Sequence, residues 1–117
     1  MPDARPNRRR TRPAPVRSAA PLTVRGIQSL IRDKYYATDS ARGTAATFMW
    51  FVEEVGELST ALANHLPGKR PTRAQRANLE EEFADVVAWL CTLANINGVD
   101  LEKALEKYTV RGVSGTK

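Results

Sequence analysis

Glu54 and Glu57 near the middle of the chain, and Glu82 and Asp85 farther on, form two acidic pairs, each spaced three apart inside a segment that otherwise reads as buried helix. Residues three or four apart share one face of an α-helix, so each pair makes a two-carboxylate ledge. Four carboxylates gathered away from water repel one another and take up protons unless positive charge lies between them. A hard divalent cation with oxygen ligands resolves that conflict, and magnesium is the expected ion, with manganese as the alternative. No basic residue stands three or four positions from Glu54 or Glu57, so ion pairing along the same helix does not account for them.

Helices must carry these ledges, and their boundaries are written in the chain. Thr23 can cap a first helix whose apolar residues Val24, Ile27, Leu30 and Ile31 recur at helical spacing, running to about Tyr36. Thr38 to Gly43 reads as a polar joint. A second helix is expected from about Thr44 to His65, stopped by the turn Pro67-Gly68-Lys69-Arg70-Pro71 and capped at its end by His65. Thr72 and Gln75 have capping-box spacing, so a third helix starts there and reaches about Ile96, with Gly98 placed to end it. Asp100 caps a shorter fourth helix through Tyr108. No segment alternates with period two, and the expected fold is all-α, an antiparallel bundle of about four helices, two long and two shorter.

On the second helix, Phe48, Phe51, Val52, Val55, Leu58, Leu62 and Leu66 form the main apolar stripe, beside a line of Trp50, Glu54, Glu57 and Ala61. On the third, Leu79, Phe83, Val86, Val87, Leu90, Leu93 and Ala94 form the expected core stripe, beside Asn78, Glu82, Asp85 and Trp89. Glu80 and Glu81 point away and read as surface charge favoured in a helix's early turns. Because Phe48 to Val52 is apolar nearly all the way round, that end of the helix needs packing partners on more than one side. At 117 residues a single helical domain of this kind is expected to complete its core by oligomerising, as a homodimer or homotetramer.

The net charge of +5 describes a tail. Residues 1–21 carry six arginines against Asp3 alone and five of the seven prolines, whereas the remaining residues carry twelve basic and twelve acidic side chains. The tail has too little apolar surface to offset the entropy of ordering and is expected to be disordered, with at most a weak attraction to nucleic acid. Residues 22–111 are expected to be the folded domain, and 112–117 a flexible end. No secretory signal or membrane-length apolar run is visible, and Cys91 alone can form neither an intramolecular disulfide nor a cysteine-based zinc site, which together favour the cytoplasm. Cys91 itself reads as a small buried hydrophobe.

Trp50 to Leu62 (WFVEEVGELSTAL) followed by Glu81 to Leu93 (EEFADVVAWLCTL), a short Pro/Gly turn between them and the closing Gly98 to Leu105 together resemble the MazG-like nucleotide pyrophosphohydrolases. That family is all-α, and its mark is an E-x-x-E pair and an E-x-x-D pair on two antiparallel helices. The resemblance covers roughly residues 22 to 111. It implies that Glu54, Glu57, Glu82 and Asp85 hold Mg²⁺ and that a nucleoside triphosphate is split into a monophosphate and pyrophosphate, as in cleansing of the nucleotide pool. It also implies that Lys107 and Arg111 meet the phosphates, with Lys69 and Arg70 as weaker candidates. The base that takes the water's proton is expected to be Glu53 or Glu57. Trp50 and Trp89 are candidates for stacking on the nucleobase, as are Tyr35 and Tyr36, with plain core packing as the competing role for the tryptophans.

Two alternatives remain at this level. One is activity like that of the related phosphoribosyl-ATP pyrophosphohydrolases; the other is a non-enzymatic helical oligomer that binds nucleic acid through its basic tail. Di-iron four-helix proteins also gather glutamates, but they use Glu-x-x-His motifs, and the residue three before the single histidine is Leu62.

Overall fold

The computed structural model describes residues 22–109. The arginine-rich start, Arg111 and the stretch 112–117 lie outside the described residues.

The helix that opens this region, α1, spans Val24–Arg42, and the hydroxyl of Thr23 caps it by accepting from the backbone N–H of Gly26 at 2.9 Å. It runs through the segment expected to be a polar joint. The reason is local pairing: Asp39, 1% exposed, and the nearly buried guanidinium of Arg42 meet at 2.9 Å across one helical turn, so the polar residues satisfy each other inside the helix. The reversal comes only at Gly43, with φ 87° and ψ 169°, whose N–H closes on the carbonyl of Asp39. That backbone region is essentially closed to residues with a side chain. Gly43→Ala should therefore destabilise the fold by about 1 to 3 kcal/mol through backbone strain, because a Cβ there would meet no neighbour within 4 Å. Chemical denaturation of the two proteins checks this.

The next helix, α2, spans Thr44–Ala63 and ends at Asn64, one residue before the expected cap at His65. Past the turn, α3 spans Arg73–Ile96, opened by a complete capping box: Gln75 N–H donates to the Thr72 hydroxyl at 3.0 Å, and Thr72 N–H donates to the Gln75 side chain at 2.9 Å. At the far end Asn97 donates to the hydroxyl of Thr44 at 3.1 Å, so the start of α2 lies beside the end of α3 and the two run antiparallel. The expected fourth helix is shorter than its sequence suggests: α4 spans Leu101–Ala104, and a 3₁₀ turn continues over Leu105–Tyr108. Arg25 on α1 holds this end through Asp100 and Glu102, both at 3.1 Å. Gln28 is buried beneath, its amide donating to Val99 O and Asn95 Oδ1 and its carbonyl accepting from Leu101 N–H. The chain is thus all-α, with no strand among the described residues.

The packing of these helices departs from the expected stripes. Much of the main apolar stripe of α2 faces outward, Phe48 being 53% exposed and Val52, Val55, Leu62 and Leu66 also exposed. On α3, Phe83 is 51% exposed, and Val87 and Leu90 accompany it. The buried residues of α2 are Thr47, Glu54 and Ala61; those of α3 include Leu79, Glu82, Asp85, Trp89 and Thr92. The lines flanking the apolar stripes, carboxylates included, are what the two helices turn toward each other. A separate small core of Ile31, Ala88 and Cys91, with Ile27, Tyr35 and Leu101 against it, joins α1 to the other side of α3.

Candidate functional site

The seam between α2 and α3 brings Glu54, Glu82 and Asp85 together, one oxygen of each lying within 4.8 Å of the others. All three are buried, Glu54 to 1% exposure. Glu82 and Asp85 share a face because they are three apart on α3, and Glu54 meets them because the antiparallel hairpin sets the middle of α2 against the first half of α3. Oε1 of Glu54 and Oε1 of Glu82 make no hydrogen bond, although both side chains interact elsewhere. The donor set is oxygen only, which suits a hard cation such as Mg²⁺ or Mn²⁺. It fits the expected metal.

Electrostatics agree with that fit. Burial, reinforced by Glu54, Glu82, Glu81 and Glu57, pushes the carboxyl of Asp85 from its ordinary 3.8 up to about 7. Folding therefore favours the neutral acid. Its contribution to stability is fully present below about pH 4 and is lost as the pH rises through about 7. A cation needs the ionised form, so its binding and the proton compete. Calorimetric titration with Mg²⁺ should show affinity rising up to about tenfold per unit from pH 5.5 to 7 and levelling above, while the metal-free protein melts at progressively lower temperature over the same interval.

Beside the triplet, Glu53, Gly56, Glu57, Thr60, Ala61, Asn64, Asn78 and Glu82 line an open cleft of about 520 Å³. Glu57 thus lies outside the three-carboxylate group but next to it, sharing the cleft with Glu53. The amides of Asn64 and Asn78 and the hydroxyl of Thr60 extend the cleft toward the α2–α3 turn. Sequence reasoning gave these three no role; the position of Asn78 one turn before Glu82 was the available signal.

Other expected site residues lie elsewhere. Lys107 sits in the 3₁₀ turn with its ammonium 5.1 Å from the centre of the Tyr108 ring and takes no part in the cleft lining. The reason is connectivity: α4 packs on α1, so the turn that follows it is carried away from the α2–α3 cleft. Arg111 is outside the described residues. Lys69 and Arg70 are exposed in the turn, and neither lines the cleft. Trp50 is half-buried, while Trp89 is 3% exposed with the Arg42 guanidinium 5.2 Å from its ring centre, so that its ring is packed rather than offered for stacking. Tyr35 belongs to the small core, and Tyr36 lies under Arg32. Glu80 and Glu81 are exposed, Glu80 pairing with Arg76. No described helix is long and apolar enough to cross a membrane.

Comparison with known proteins bears on this geometry. The profile of the MazG nucleotide pyrophosphohydrolase domain matches residues 42–112, a stretch that contains both acidic pairs. The chain is also similar to the crystal structure of iMazG from Vibrio DAT 722, with 34% sequence identity and a TM-score of 0.62, over 82% of this chain and 100% of that one. No curated protein matches significantly.

Proposed function

Since the chain belongs to the MazG nucleotide pyrophosphohydrolase domain family, we propose that it splits a nucleoside triphosphate into the monophosphate and pyrophosphate with Mg²⁺ at Glu54, Glu82 and Asp85. The observation that carries the metal reading is the buried meeting of three carboxylates from two helices. Glu57, one turn from Glu54 on the same face, is assigned as a fourth ligand. Bound there, magnesium supplies the positive charge that lets an acidic cleft accept a polyphosphate, and it acidifies water at neutral pH. We assign Glu53 as the base that accepts the proton of the attacking water, a reading supported by its lining the cleft without joining the buried triplet, with Glu57 as the alternative base. Attack on the α-phosphorus would expel pyrophosphate in line. Asn64, Asn78 and Thr60 offer uncharged donors and acceptors to the rest of the nucleotide.

The test is a panel of canonical and oxidised nucleoside triphosphates, with phosphoribosyl-ATP beside them, assayed with purified protein and Mg²⁺ for pyrophosphate against orthophosphate. Pyrophosphate released with the monophosphate, and only with metal, is expected. Orthophosphate with the diphosphate would mean that a different bond is cut and would refute the reading.

A second copy of the chain is the partner we assign to the exposed apolar residues of α2 and α3. Supporting this is their extent: Phe48, Met49, Val52 and Val55 on one helix and Phe83, Val87 and Leu90 on the other are all exposed. A cytoplasmic setting, where nucleotide pools and free magnesium coexist, belongs to the same reading.

A further inference from the structure

The last residue of α1 ties all three long helices together one to two turns from the acidic triplet. Arg42, its side chain only 11% exposed, makes a 2.9 Å ion pair with Asp39 on its own helix and donates to the hydroxyl of Thr47 on α2 at 3.1 Å. It also lies 5.2 Å from the ring centre of Trp89 on α3. Asp39 and Thr47 are themselves 1% and 0% exposed, so this polar knot is interior.

Two of its partners, Thr47 and Trp89, stand on the helices that carry the acidic residues. Thr47 lies two turns before Glu54 on the same face of α2, about 10 Å along the axis, and Trp89 lies one turn beyond Asp85 on α3, about 6 Å along. At the seam Glu54, Glu82 and Asp85 each bring one carboxylate oxygen within 4.8 Å of the others. Three such groups pushed together would drive the seam apart, and only something that fixes the relative rotation and separation of α2 and α3 can hold them ready for a cation. A planar guanidinium suits that task, because it can form directional hydrogen bonds at its edge while its face covers an aromatic ring. An interior ion pair is weak as a source of stability, since desolvation offsets most of its attraction. Its effect is geometric.

We propose that Arg42 is a positioning residue for the metal cage, locking α2 to α3 through Thr47 and Trp89 so that Glu54, Glu82 and Asp85 are held within chelating distance before a cation arrives. This rests on the metal reading above. Arg42 touches neither ion nor substrate; it acts through the two helices.

The test is calorimetric titration of Mg²⁺ into wild type, Arg42→Lys, Arg42→Gln, Thr47→Val and Asp85→Asn, with thermal melts and near-ultraviolet circular dichroism of each. Wild type is expected to bind and Asp85→Asn to lose binding. Arg42→Gln should weaken binding by about tenfold or more, the size found when groups that orient metal ligands are removed, and should change the near-ultraviolet signal of the tryptophans. Arg42→Lys, which keeps the charge but loses the planar fork, should fall between the two. An Arg42→Gln protein that is less heat-stable yet binds Mg²⁺ within twofold of wild type would reduce Arg42 to a packing residue and overturn the proposal. If that variant does not fold, Thr47→Val decides: several-fold weaker binding supports the lock, and unchanged binding overturns it. Absence of Mg²⁺ binding by wild type would instead refute the metal reading itself, whatever the Arg42 variants do.

Discussion

Asp85→Asn is expected to lower Mg²⁺-dependent pyrophosphate release by at least about 100-fold, the order seen when one preorganised charge-stabilising group is removed from an active site. The same substitution should raise the melting temperature of the metal-free protein at pH 8. The two effects have one origin. Asp85 is buried beside Glu54 and Glu82, and its carboxyl titrates near 7, so at pH 8 the empty cage carries a negative charge that the fold opposes. Asparagine keeps the shape and removes the charge. At pH 5 the folded state holds Asp85 neutral while the unfolded chain still ionises it, so the rise should be present but smaller than at pH 8. Glu54→Ala should likewise abolish metal-dependent hydrolysis while leaving helix content near that of wild type. Pyrophosphate assays and thermal melts at the two pH values check these expectations. Full turnover by Asp85→Asn would remove that residue from the ligand set, and an unchanged melting temperature at pH 8 would remove the repulsion.

Phe48→Asp combined with Phe83→Asp should convert the protein from an oligomer to a monomer at micromolar concentration. Both side chains are more than half exposed on the outer faces of α2 and α3, among further exposed aliphatic residues. Burial of a large apolar side chain is worth about 1.5 to 3 kcal/mol. Two per protomer, counted twice across a two-fold axis, amount to at least about 6 kcal/mol, or roughly four decades in the dissociation constant. Light scattering after size-exclusion chromatography reads the outcome directly. A wild-type protein that is monomeric at tens of micromolar would withdraw the assignment of a second copy to this face. Because the apolar face and the acidic seam lie on the same two helices, the double variant should also bind Mg²⁺ more weakly.

Several structural elements were legible in the residues because they depend on neighbours a few positions away. The capping box at Thr72 and the caps at Thr23 and Asp100 are contacts within one turn, and each forms as its spacing indicates. The polar stretch from Thr38 misled for a related reason. Polarity suggests solvent only when no partner is near, and Asp39 and Arg42 are partners three positions apart inside the same helix. For Lys107 spacing says less: its approach to the cleft depends on where α4 and the 3₁₀ turn after it are carried, and it does not line the cleft.

Taken alone, the sequence determined that the chain is helical, where its helices begin, and that Glu54, Glu82 and Asp85 belong to acidic ledges on two of them. Helical periodicity and capping are local, and one strand of residues is enough to display them. Only the tertiary structure decided which face of each helix turns inward. Both α2 and α3 have an apolar stripe beside a carboxylate line, and a 100° repeat ranks those faces by polarity without saying what covers them. Hydrophobicity assigned the stripe to the chain's own core, yet the seam is lined by Thr47, Glu54, Glu82, Asp85 and Trp89, and much of the apolar surface is left outward. Burial is a relation between helices, and so is the meeting of three carboxylates.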